Sequence, residues 1–294
     1  MKRFTKNILS ALICMLIVLP CRLYSEDKDA DNSELIYQKY DVYEVDIDSG
    51  YLNIRTKPSK ETKVIGQLSQ GRCVLAKRGT FAQKEGFEWV ELAYLKGWTA
   101  KEYLKDSKVC EDAFSIVDGY YQSALEECLA VFNAPENAHT PFTCGSQDMK
   151  NWIADYVDLS KSLNIYCVLN CDSLEGGCKI KNQNEGEHNY TLSCTEPVET
   201  IFNVLKWMNI GCDRYCTQGI DTCGECNGEK RDVLFKCDNV YLAFLDGLEI
   251  TSDAETNGFN VFAASGVECC SNMTITFEKK DDTYKISKVS MFLD

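Results

Sequence analysis

The sequence predicts two domains: a small all-β domain over residues 45–106, then a larger α+β domain over 107–294. In the second, helices precede an antiparallel sheet and multiple disulfides tie the chain. Three observations predict this. Over 45–106 short apolar alternations are separated by turn residues, three- and four-residue apolar spacing begins at 112, and a period of two takes over after 233. Charge changes in the same place, since 45–106 hold 11 Lys+Arg against 8 Asp+Glu while 107–294 hold 14 against 30. Finally, 14 of the 17 cysteines fall between Cys110 and Cys270, a density typical of an oxidising compartment. The chain has 294 residues, 45% of them hydrophobic, which is enough for a real core. Its net charge of −14 lacks the basic footprint of a nucleic-acid binder, so no nucleic-acid partner is expected.

The first 25 residues read as a signal peptide. Lys2, Arg3 and Lys6 form a positive start, Ile8 to Leu19 is apolar or small, and Pro20 ends the run. Twelve such residues are too few to span a bilayer as a helix, and no later stretch supplies a transmembrane span in the mature chain. Pro20 stands where a lipid-anchored cysteine needs a small residue, which argues against a lipid anchor at Cys21. Residues 26–44, with 2 basic and 7 acidic side chains, read as a solvated acidic leader. Export to the periplasm, the cell surface or the medium follows as the expectation.

Parity then assigns the cysteines. Cys73 stands alone and is expected as an unpaired, buried small hydrophobe. The disulfide candidates are Cys110, Cys128, Cys144, Cys167, Cys171, Cys178, Cys194, Cys212, Cys216, Cys223, Cys226, Cys237, Cys269 and Cys270. Their pairing cannot be read from spacing alone. Cys212-x3-Cys216 and Cys223-x2-Cys226 have a zinc-knuckle look, but the interval between them is short and the compartment favours oxidation. No metal and no cofactor is expected. Asp27, Asp29 and Asp31 begin like a calcium loop, yet Asn32 and Gln38 occupy the positions that need Gly and Glu.

Within 45–106 the strands are expected at Leu52–Arg55, Val64–Leu68, Cys73–Ala76, Glu88–Leu92 and Lys96–Thr99, with turns at Lys57-Pro58-Ser59 and Gln70-Gly71. The string Leu52-Asn53-Ile54-Arg55, Pro58-Ser59, Val64-Ile65-Gly66, Leu68, Gly71, Trp89, Gly97-Trp98 and Tyr103-Leu104 resembles the bacterial SH3 (SH3b) family. The match covers about 60 residues, with Thr99 in place of a valine after Trp98. The resemblance implies an SH3-like barrel with a groove on one face that takes peptides or cell-wall material. Tyr51, Trp89, Tyr94, Trp98 and Tyr103 are the ligand-binding candidates, because flat aromatic faces with a polar handle suit such a groove. Trp98 and Leu52 serve equally well as core fillers.

In the second domain Phe114, Val117, Tyr121, Leu125, Cys128 and Phe132 predict a helix over 112–132. Ser146 caps a second helix whose stripe runs Met149, Ile153, Tyr156, Leu159 and Leu163; Thr195 and Pro197 open a third, which ends before Gly211. Strands follow at Val233–Cys237, Val240–Phe244 and Met273–Phe277. A hairpin turns at Lys279–Asp282 and returns through Tyr284 and Ile286. Val289 and Met291 are out of phase with that return, so a bulge is expected near Ser287-Lys288. Helices before a bent sheet is an element order loosely similar to cystatin-like and nuclear-transport-factor-2-like cones.

No catalytic residue is singled out. Cys171 lacks the surroundings of a wall-peptidase nucleophile, and His139 and His188 are too few imidazoles for a zinc amidase. The leading expectation is an exported, non-catalytic binding protein whose SH3b-like module engages a cell-wall peptide or an envelope protein. Two alternatives remain: a cell-wall hydrolase using a carboxylate with a raised pKa, and a secreted interaction protein acting through the cystine-rich half.

Overall fold

The computed structural model describes residues 39–132, 147–168, 177–183, 189–207, 242, 245–264 and 272–292. Seven short strands form the first sheet: β1 (Tyr40–Val45), β2 (Leu52–Arg55), β3 (Val64–Leu68), β4 (Cys73–Lys84), β5 (Phe87–Leu92), β6 (Trp98–Ala100) and β7 (Leu104–Asp106). Their order is β3-β2-β6-β5-β4-β1-β7, and among the described residues the sheet does not close on itself. Val45, Leu52, Ile54, Leu68, Val74 and Leu92 form its core. Burying each such aliphatic side chain stabilises the fold by about 1.5–3 kcal/mol before entropy is counted. Gly97 is required here, since a Cβ would sit 2.4 Å from Ile54 Cγ2.

β2 and β3 occupy the expected positions, while β4 runs eight residues past Ala76 to Lys84. A register irregularity between Ala76 and Phe81 lets the strand resume its pairing with β5. A larger correction concerns the acidic leader. Its end is not solvated: residues 40–44 belong to β1, with Val42 9% and Glu44 9% exposed. The two carboxylates of this run that lie among the described residues have partners. Asp41 pairs with Arg78 at 2.8 Å, and Glu44 accepts from Ser107 Oγ at 2.6 Å and pairs with Lys105 at 3.1 Å.

Three helices and a second sheet follow. They are α1 (Lys108–Phe132), α2 (Gln147–Tyr156), β8 (Leu163–Val168), β9 (Cys178–Gln183), β10 (Asn189–Cys194), α3 (Pro197–Trp207), β11 (Leu248–Asp253), β12 (Gly258–Ala264), β13 (Asn272–Lys280) and β14 (Thr283–Phe292). The second sheet has the order β11-β12-β13-β14-β8-β10-β9, with β14 and β8 parallel and the other pairs antiparallel. Along β14, Thr276 opposes Lys288 and Phe277 opposes Ile286, so Ser287 is the extra residue of the expected bulge. Tyr284, Ile286, Val289 and Met291 are all buried as a result. Phe277 stacks on Phe259 at 4.6 Å and meets Tyr156 of α2 edge-on at 5.9 Å.

The second helix is shorter than its apolar stripe. Asp158 Oδ1 accepts from Ser160 N and Oγ, a local turn that competes with helix continuation. Leu159 is left 66% exposed, and Leu163 starts β8 rather than ending a helix. The strands expected at Val233–Cys237 and Val240–Phe244 lie outside the described residues, except for Leu242, which is helical.

Cys73 is not unpaired. It is bonded to Cys110 in the first turn of α1, with Cα atoms 5.4 Å apart and both residues fully buried. Parity failed because it closed the count at Cys110. β1 pairs with β7, which returns the chain at residue 106 to the side of Tyr43. Ser107 then caps α1 by accepting from Cys110 N at 3.4 Å, and this turn carries Cys110 to the start of β4. Cys178 and Cys194, directly opposite on β9 and β10, form a second disulfide. The other candidate cysteines lie outside the described side chains.

Residues Asp41–Asp294 form one compact unit. Ser252 N donates to Gly71 O at 2.8 Å, and Arg72 forms a β-bridge with Thr251. The Arg72 side chain, 8% exposed, donates from Nη2 to Leu248 O at 3.0 Å and places Nη1 3.1 Å from Glu249 Oε1.

Candidate binding site

The site begins with two turns. Ser59 is buried because its hydroxyl donates to Glu85 Oε1, while Lys60 N donates to Glu85 Oε2 at 2.8 Å. Glu85 sits in the β4–β5 hairpin, so this carboxylate ties the Pro58 turn to that hairpin. The two bonds, Ser59 first and Lys60 second, hold Glu85 below the usual carboxylate range. Lys60 Nζ is thereby held over the Phe87 ring, 3.6 Å from its centroid. Arg55, the last residue of β2, is anchored by its Nη1 donating to Thr62 O at 2.7 Å.

At the other end of β2, Asp46 N donates to Tyr103 O at 2.9 Å. This bond brings the Asp46–Asp48 segment beside the short 3₁₀ turn Lys101–Tyr103. Between the two ends Ala100 on β6 stands opposite Trp89 on β5. Together these elements enclose an open concavity of about 590 Å³. Its acidic end carries Asp46, Asp48 and Tyr103; its basic end carries Arg55, Lys60 and Phe87; Tyr51, Asn53 and Trp89 also line it.

Three of the five aromatic candidates therefore meet here. Tyr51 is 64% and Tyr103 41% exposed, so both offer their rings to solvent. Trp89 is 3% exposed and donates from Nε1 to Lys84 O at 3.2 Å, so it is a floor residue held by the hairpin. Trp98 is half-buried, in register with Arg55 and Glu91, and does not line this concavity. Tyr94 is buried and its hydroxyl donates to Cys73 O at 3.4 Å. Burial raises the Tyr94 phenol and lowers the neighbouring Arg72 guanidinium from their ordinary pKa values. Tyr94 and Arg72 line a second concavity of about 540 Å³, and Tyr51 borders both.

Sequence reasoning missed Phe87, Lys60, Asp46 and Asp48 as lining residues. Phe87 and Trp89 alternate on one strand, which was a usable signal for a shared face. The charged residues gave none, because only the turns bring them to the concavity. Cys171, His139, His188 and the Cys212–Cys226 cluster lie outside the described residues. Among the described residues no group of three His, Cys, Asp or Glu side chains is placed to hold a metal ion, and no helix is long and apolar enough to cross a membrane. No family model, no curated protein and no solved structure matches this chain. The resemblance to the bacterial SH3 family thus rests on the sequence pattern alone.

Proposed function

We propose that this chain is an exported, non-catalytic binding protein that holds a peptide or cell-envelope material in the concavity between Tyr51, Phe87 and Tyr103. The observation that carries the proposal is the concavity itself. It is open, holds exposed aromatic faces beside charges of both signs, and is braced by backbone bonds at each end. Such a surface can recognise an amphipathic ligand without any reacting group. On this reading strands β2 to β6 are an SH3-like unit, since they fall on the residues of the family pattern. Export is supported by the two disulfides and by the apolar leader sequence.

The test is co-sedimentation of the full chain with purified bacterial cell-wall sacculi, with the supernatant analysed for soluble fragments. Binding that weakens at least threefold in Tyr103→Ala, with no fragments released over hours, is expected. Release of muropeptides would move the reading to a hydrolase. Wall binding unaffected by Tyr103→Ala and Tyr51→Ala would place the function elsewhere in the chain.

A further inference from the structure

The charges of the concavity are sorted by sign. Asp46 and Asp48 lie before β2, and Arg55 and Lys60 lie at and after its end. β2, which lies between them, runs about 10 Å, three residues at about 3.3 Å each. The aromatic lining follows the same axis: Tyr103 is bonded to the acidic end, Phe87 lies under Lys60 at the basic end, and Phe87 and Trp89 have ring centroids 6.2 Å apart.

Part of this charge is already engaged within the protein. Asp46 is 3.3 Å from Lys105 and Arg55 spends one nitrogen on Thr62 O, while the bond of Lys60 to Glu85 is made by its backbone N–H. Asp48 has no ion pair among the described residues and is exposed. Lys60 is exposed as well, with its ammonium held in place by the Phe87 ring. Each end therefore keeps one accessible charge, and that of Lys60 is held over the Phe87 ring. A ligand carrying only one sign of charge would leave the opposite end unanswered and would be repelled by it.

We infer that the concavity selects a bipolar ligand: a short peptide of about three residues, its ammonium at Asp46 and Asp48 and its carboxylate at Arg55 and Lys60. This deepens the binding reading above and rests on it. An extended tripeptide spans about 10 Å at about 3.3–3.6 Å per residue, matching the length of β2 between the acidic and the basic residues. The aromatic faces between them take its side chains without demanding particular ones.

Four probes separate the two ends: trialanine, N-acetyl-trialanine, trialanine amide, and the peptide capped at both ends. Each is titrated into the full chain at low salt and followed through the peptide methyl resonances. Trialanine is expected to bind best, with each cap weakening binding roughly three- to fivefold, the range of exposed charge pairs. Asp48→Asn should abolish the penalty for acetylation alone, and Lys60→Gln the penalty for amidation alone. Both positions are exposed, so both variants should fold; far-ultraviolet circular dichroism checks this. If all four peptides bind alike and Tyr103→Ala weakens them all, the binding reading stands and the bipolar selection falls. If no peptide binds but sacculi still sediment the protein through Tyr103, the bipolar selection falls and the envelope reading remains. Peptide binding indifferent to Tyr103→Ala would overturn both.

Discussion

Single side chains make the firmest statements about this molecule, and Glu85 is the clearest of them. Its carboxylate is held below its ordinary pKa of 4.5 by Ser59 Oγ and Lys60 N. A depressed carboxylate contributes stability above its unfolded pKa, and that contribution is lost as the pH falls through the folded value. Wild type should therefore melt above Glu85→Gln at pH 7, with the gap narrowing from about pH 4.5 downward. Melting curves of the two proteins from pH 3 to 8 check this, and a constant gap would show that the bonds act without ionisation. At Cys73 the residue-scale prediction is chemical. Alkylation of unfolded, unreduced protein should leave Cys73, Cys110, Cys178 and Cys194 unmodified, read by peptide mass. Replacing Cys73 and Cys110 together by serine should cost about 2–5 kcal/mol in urea unfolding.

Secondary-structure elements show what a sequence can and cannot announce. β2, β3, β13 and β14 were legible because alternation of apolar residues is a local property that burial on one face enforces. The bulge at Ser287 was legible for the same reason: two alternating runs, Tyr284-Ile286 and Val289-Met291, are out of phase with each other, and a bulge lets both face the core. β1 was not, because its charges look solvated until Arg78, Ser107 and Lys105 arrive from 37 to 63 residues away. The second helix was overrun because Asp158 stops it through hydrogen bonds that apolar spacing does not register. Deleting Ser287 should remove the bulge and leave Ile286, Lys288 and Val289 in plain alternation opposite Phe277, Thr276 and Ile275, so Val289 and Met291 keep facing the core. The cooperative urea transition should therefore survive the deletion, and Ser287→Ala should stay within about 1 kcal/mol of wild type. Loss of the cooperative transition on deletion would show that the bulge itself, and not the facing of Val289 and Met291, holds the end of β14.

Across the whole molecule, the sequence suggested a charge boundary at residue 106, but the chain is stitched across it. Cys73 is bonded to Cys110, Gly71 O accepts from Ser252, and Arg72 spans to Leu248 and Glu249. Gly71 has φ +75° and a Cβ there would lie 3.1 Å from Ser252 O, so the junction needs glycine at that point. The site was half legible for a related reason. Aromatic residues carry a pattern in sequence, but the Asp46–Asp48 and Lys60 ends come together only through Tyr103 and Glu85, contacts made at long range. A chain so joined should unfold as one body, so calorimetry of the full protein should give a single peak. Arg72→Met removes both side-chain bonds and leaves Leu248 O without that donor, at a cost of about 1–3 kcal/mol. It should broaden the calorimetric transition or split it into two. Two resolved peaks in the wild-type protein, unmoved by Arg72→Met, would show that the two sheets are energetically independent despite the stitching.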